Sequence, residues 1–66
     1  MISINDKPYP FEQYQTLEAL LTALDVDVSK GMAVALNNEV IPREKWDKQL
    51  INDKDKLLLI KAAQGG

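Results

Sequence analysis

The sequence predicts an α+β domain, a mixed sheet of four to five strands with one main helix packed on one face, and three observations predict it. Leu17, Leu20, Leu21 and Leu24 recur at the spacing of a single helix face. Two clusters, Asn5-Asp6-Lys7-Pro8 and Asn37-Asn38, punctuate runs rich in apolar residues, as hairpin turns do. The run Leu57-Leu58-Leu59-Ile60 near the C-terminus reads as a final, strongly apolar strand.

Taken in order, Met1-Ile2-Ser3-Ile4 alternates apolar and polar residues and leads through the Asn5–Pro8 cluster to Tyr9 and Phe11. Pro8 and Pro10 flank Tyr9, which makes the second strand of this hairpin short, irregular or an edge. Thr16 is a good N-cap for a helix over Leu17 to Leu24, and Glu18 in its first turn suits the helix dipole. Eight residues do not hold a helix in isolation, so the leucine stripe must pack on the sheet. After a connection through Asp25–Gly31, Met32, Val34 and Leu36 share one face of a strand, with small Ala33 and Ala35 on the other. Asn37-Asn38 tolerates the positive φ of a tight turn, and Glu39-Val40-Ile41 can pair back. Pro42 opens a short helical turn at its favoured first position, placing Trp46 at the edge of the core, with Leu50 and Ile51 re-entering it. The polar turn Asn52–Lys56 then leads into the last strand.

Composition narrows the function. A chain of 66 residues is one domain, and one of about this size buries only about 60% of its unfolded surface, leaving little room for an internal active site. No apolar run approaches the ~20 residues of a spanning helix, and the first residues carry no basic segment followed by an apolar one. A cytoplasmic protein is the simplest reading. The net charge of −2 comes from acids and bases mixed along the chain, with no basic cluster to neutralise phosphates, which disfavours a nucleic-acid partner. Neither cysteine nor histidine is present. The side chains most used for nucleophilic and proton-transfer work near neutral pH are therefore missing, and no metal-ligand constellation remains. Catalysis of its own would rest on carboxylates or lysines, and no two acids are set by spacing to share a site. The chain reads as acted upon rather than acting.

What could be acted upon is the end of the chain, Ala62-Ala63-Gln64-Gly65-Gly66. Gly-Gly is costly in backbone entropy to order and packs nothing, so it adds no stability to a small domain. It suits a thread for a partner's narrow slot, although a frayed terminus has the same composition. Residues 1–62 are the expected domain and residues 63–66 the expected flexible tail. Four extended residues reach about 13 Å, enough to leave the body behind.

The element order, the stretch Ala35-Leu36-Asn37-Asn38-Glu39-Val40-Ile41-Pro42-Arg43-Glu44-Lys45-Trp46 and the closing strand into Gly65-Gly66 resemble the β-grasp (ubiquitin-like) sulfur carriers of the ThiS/MoaD family, and within it the thiamine-pathway branch. The resemblance covers the whole chain. Its most specific part is the asparagine turn followed by Val-Ile-Pro-Arg-Glu-x-Trp, which the molybdopterin branch normally lacks. Two positions depart from the pattern: Lys54 stands where the family often has glycine, and Asp6 stands where glycine is common in the first turn.

The resemblance implies a carrier, not an enzyme, with no cofactor bound. An E1-like adenylating enzyme (ThiF-like) would consume ATP to adenylate Gly66, with Gly65 and Gln64 threading its site. A sulfur donor such as a cysteine desulfurase would supply the sulfur of a Gly66 thiocarboxylate, and a thiazole synthase (ThiG-like) would take that sulfur for thiazole biosynthesis. It also favours the register in which Leu57 and Leu59 face the helix, leaving Leu58 and Ile60 as an exposed partner-binding pair; the residues alone allow the reverse. Arg43 and Trp46 mark the branch, and on their own read as a solvated base and a core-edge anchor. The alternatives are a molybdopterin-type sulfur carrier, a β-grasp protein-binding adaptor with an inert tail, and a protein modifier joined to lysines through Gly66.

Overall fold

A computed structural model describes residues 1–26 and 31–61. The elements are β1 (Ile2–Ile4), β2 (Lys7–Tyr9), α1 (Leu17–Ala23), β3 (Met32–Leu36), β4 (Glu39–Val40), a 3-10 turn (Arg43–Lys45) and β5 (Lys56–Lys61). They form a five-stranded sheet in the order β2-β1-β5-β3-β4. β5 is central, parallel to β1 and antiparallel to β3, so the sheet is mixed. The last strand in sequence therefore lies in the middle of the sheet. Among the described residues no helix is long and apolar enough to cross a membrane.

Both hairpins owe their tightness to the residues at their turns. Asn5 and Asp6 have φ of 50° and 67°, and Asn37 and Asn38 have φ of 50° and 71°, the paired positive values of a two-residue turn that matches strand twist. β2 is an edge strand, as Pro8 requires, and it closes at Tyr9 because Pro10 offers no N–H; Phe11 lies half-buried against the core. β4 is similarly brief, and the Ile41 N–H adds one further bond to the Val34 carbonyl at 2.9 Å.

α1 begins where Thr16 predicts, its hydroxyl accepting from the Ala19 N–H at 3.1 Å. It ends one residue earlier than the leucine spacing suggests, because Asp25 takes a left-handed φ of 57°. The N–H groups of Asp25 and Val26 then close back on the Thr22 and Leu21 carbonyls, the paired bonds of a Schellman ending that is built here without glycine. Leu17, Leu20 and Leu21 are buried against Ile2, Ile4, Val34, Leu57 and Ile51.

Three further details differ from expectation. Pro42 is the cap before the 3-10 turn, with an extended ψ of 143°, not its first helical residue. Trp46 is not an edge anchor: it is 3% exposed, within the core, and its Nε1–H donates to the Ile41 carbonyl at 2.9 Å. Leu50 does not re-enter the core and is 47% exposed. The segment 49–51 runs beside residues 15–17, with Leu17 N–H bonded to Gln49 and Ile51 N–H to Gln15. Neighbours on such a stretch point to opposite sides, so burying Ile51 exposes Leu50.

The turn into β5 is tied to the rest of the sheet. The buried Asp55 carboxylate accepts from the Asn52 N–H at 2.7 Å and from Asn37 Nδ2 at 3.0 Å, and Asn37 Oδ1 accepts from the Lys56 N–H at 2.9 Å. The Met1 ammonium pairs with Asp53, and that hydrogen bond holds the Asp53 carboxyl below the usual carboxylate range. A depressed carboxyl stabilises the fold above its ordinary pKa and loses that contribution as pH falls through the lowered value, but this pair is exposed and screened.

Lys54 keeps the left-handed turn with φ 72°. Such a conformation costs a residue with a Cβ roughly 1–2 kcal/mol, against about 0.5–1 kcal/mol for the extra flexibility of glycine. Lys54→Gly should therefore raise the melting temperature by a few degrees, given about 4–8 °C per kcal/mol in a domain of this size. A lowered melting temperature in a thermal scan would contradict this account of the turn.

Candidate functional site

β5, in the middle of the sheet, carries the expected partner-binding pair Leu58 and Ile60. Its alternation is unambiguous: Leu57 is buried and Leu59 packs against the core, while Leu58 and Ile60 are 45% and 44% exposed on the opposite face. This is the register the resemblance favoured.

The cross-strand partners show what surrounds the exposed pair. Leu58 lies opposite Ala35 of β3, and Ala35 lies opposite Val40 of β4. Val40, Ala35 and Leu58 therefore form one row across three strands on the face away from α1, and Ala33 with Ile60 forms the next row. The small alanines make a trough between larger side chains, with Ala35 itself buried beneath its neighbours. Val40, 63% exposed, belongs to this apolar surface although sequence reasoning left it out. The signal was available, since a two-residue turn at Asn37-Asn38 pairs Leu36 with Glu39 and Ala35 with Val40.

Leu58 and Ile60 are thus brought together on one surface, two residues apart. The other expected site residues, Gln64, Gly65 and Gly66, lie outside the described residues, as does the whole expected tail. Arg43 and Trp46 belong to a different part of the molecule: the guanidinium stands 5.6 Å from the indole centroid, beside Glu18 and Thr22 of α1. Among the described residues no group of three or more acidic side chains is arranged to hold a metal ion. The site can offer an apolar docking surface beside the root of the chain's end.

Comparison with known proteins gives concordant results. The family model described as "ThiS family" matches residues 2–66. The sulfur carrier protein ThiS of Escherichia coli K12 is 35% identical over 65 residues, covering 98% of this chain and 97% of that protein. A thiazole synthase of Paramagnetospirillum magneticum is 38% identical over 63 residues, which are 96% of this chain and 19% of that larger protein. The crystal structure of the thiamine biosynthesis protein ThiS from Geobacter metallireducens superposes with a TM-score of 0.83 at 30% identity, covering 98% of this chain and 97% of that one. The shared architecture is the β-grasp fold.

Proposed function

The chain belongs to the ThiS family, and from that membership we propose that its working group is the Gly66 carboxylate, adenylated by a partner and converted to a thiocarboxylate. The protein is a sulfur carrier of thiamine biosynthesis, not itself a catalyst. The observation that carries the reading of the site is that the family match runs through residue 66 and so includes the Gly65-Gly66 ending.

The chemistry follows from the acyl carbon. A C-terminal carboxylate has a reference pKa near 3.5 and is ionised at neutral pH, hence a poor electrophile. A ThiF-like adenylating enzyme joins it to AMP from ATP and releases pyrophosphate, giving the carbonyl a good leaving group. A persulfide on a donor such as a cysteine desulfurase attacks that carbon and expels AMP. The resulting acyl disulfide is split by a thiol, which leaves as a disulfide with the donor, and the thiocarboxylate stays on Gly66. A ThiG-like thiazole synthase then takes the sulfur. That a relative named thiazole synthase contains a region similar to this chain supports the pairing. We place these steps in the cytoplasm, and the cofactor requirement is the partner's ATP, with nothing bound by the carrier.

Two glycines at the end let the backbone pass through a slot that a Cβ would close. The apolar rows around Leu58 and Ile60 are the surface on which the adenylating enzyme docks. Leu58→Asp or Ile60→Asp should weaken that complex at least tenfold, about 1.4 kcal/mol or more of lost binding, while shifting the melting temperature little, because both side chains are nearly half exposed. Titration calorimetry alongside thermal unfolding separates the two effects, and unfolding as the main consequence would contradict the docking role.

The function itself is tested by transfer. Carrier loaded with isotopically labelled sulfur, given to a thiazole synthase with its other substrates, should lose the label to the thiazole. A product made at an equal rate from free sulfide without the carrier would overturn the proposal.

A further inference from the structure

We propose that Asn5 is a positioning residue that fixes the root of the C-terminal segment; the inference rests on the carrier reading above and adds a residue to it. β1 pairs with β5 only as far as Ile4 opposite Leu57. The Asn5 N–H still donates to the Leu57 carbonyl at 3.0 Å. A parallel ladder extended by one residue would then have the Leu59 N–H donate to the backbone carbonyl of residue 5. The chain instead turns away at Asn5, with φ 50°. The side-chain oxygen takes the carbonyl's place, and the Leu59 N–H donates to Asn5 Oδ1 at 2.8 Å. One asparagine thus makes the turn and continues the ladder past the end of its own strand.

The bond has a position that matters. On its other side β5 is held by β3 up to Met32 opposite Lys61. On the β1 side Asn5 supplies the last backbone tether seen among the described residues, at Leu59. Without it, Leu59–Lys61 is restrained on one edge only, and the backbone from which the C-terminal residues start is less ordered. A carrier whose end must enter a partner's slot then loses freedom on binding that the native strand has already given up.

Three variants separate this role from general stability. Asn5→Gly keeps the left-handed turn and removes only the acceptor, whereas Asn5→Asp keeps both. Asn37→Gly removes a comparable side-chain bracket at the opposite end of β5, where Asn37 Oδ1 accepts from Lys56. With ATP and a ThiF-like adenylating enzyme, Asn5→Gly should raise KM for the carrier about tenfold with kcat within about twofold, the pattern of lost uniform binding and about the factor that ordering one residue costs. Amide exchange at Leu59, measured well below melting, should quicken by about the same factor. Asn5→Asp should restore both readouts, and Asn37→Gly should lower the melting temperature without moving KM. Wild-type KM in Asn5→Gly, failure of Asn5→Asp to restore it, or an equal rise in Asn37→Gly would each overturn the proposal. A wild-type chain that is never adenylated would instead overturn the carrier reading, and with it the purpose assigned to Asn5, whatever the exchange rates.

Discussion

Removal of Gly65 and Gly66 is expected to abolish sulfur loading while leaving the melting temperature unchanged. The buried residues of the described core run from Ile2 to Leu57, and two glycines have no side chain to add to it. The carbon proposed to react, by contrast, is lost outright, and the shortened chain would carry its carboxylate two residues earlier. Single substitutions sharpen the point. Gly66→Ala and Gly65→Ala retain the carboxylate but add a Cβ to the stretch proposed to thread the adenylating enzyme's site. A misplacement of about 1 Å at a reacting centre can cost about a hundredfold in rate, and a loss of that order is expected in adenylation measured by pyrophosphate release. Undiminished adenylation of both alanine variants would contradict the threading argument. The same deletion tests one rival reading, since an adaptor with an inert end would keep its binding; the other, a modifier, would show high-molecular-weight conjugates of the intact protein in cells.

Trp46→Ala is expected to unfold the domain or bring it close to unfolding. Truncating a buried aromatic to alanine costs about 3–5 kcal/mol, and a domain of 66 residues at about 0.05–0.15 kcal/mol per residue has only roughly 3–10 kcal/mol in total. Trp46 also binds the Ile41 carbonyl through Nε1–H, which joins the segment after β4 to the 3-10 turn. Trp46→Phe keeps most of the apolar volume and loses that donor, so it should cost less, about 1–3 kcal/mol for the polar group left behind. Urea denaturation of the three proteins, followed by circular dichroism, gives the ranking wild type, Trp46→Phe, Trp46→Ala. A Trp46→Ala protein within about 1 kcal/mol of wild type would mean the indole is not part of the core, since only surface changes are normally that mild.

Much of the fold was legible because local chemistry and long-range pattern agreed. Thr16 with the leucine spacing located α1, and Asn5-Asp6 and Asn37-Asn38 located both hairpins, because few residues tolerate consecutive positive φ values. What was not legible depended on neighbours. Whether Leu50 or Ile51 faces inward is decided by the pairing of residues 49–51 with 15–17, and nothing within the segment states it. The depth of Trp46 follows from its bond to Ile41, a partner five residues away that no periodicity reveals. Asp25 ends α1 without the glycine that usually signals such an ending.

The candidate site divides in the same way. The residues alone allowed either register for β5, and the pairing with β3 places Leu58 and Ile60 outward with Val40 beside them. Asn5 read as a turn former and no more, since its second role exists only once β1 and β5 are adjacent. Gly66, in contrast, is proposed from what the chain lacks in reactive side chains and from the resemblance of its ending to a known family, and it lies outside the described residues.

The central claim, that the terminal acyl carbon is the group that carries sulfur, is tested most directly by mass spectrometry of the protein after incubation with ATP, a sulfur donor and a ThiF-like adenylating enzyme. The account predicts one oxygen replaced by one sulfur, with C-terminal fragment ions confining the change to Gly66. Sulfur found on any other residue, or a chain left unmodified while thiazole is formed, would contradict it.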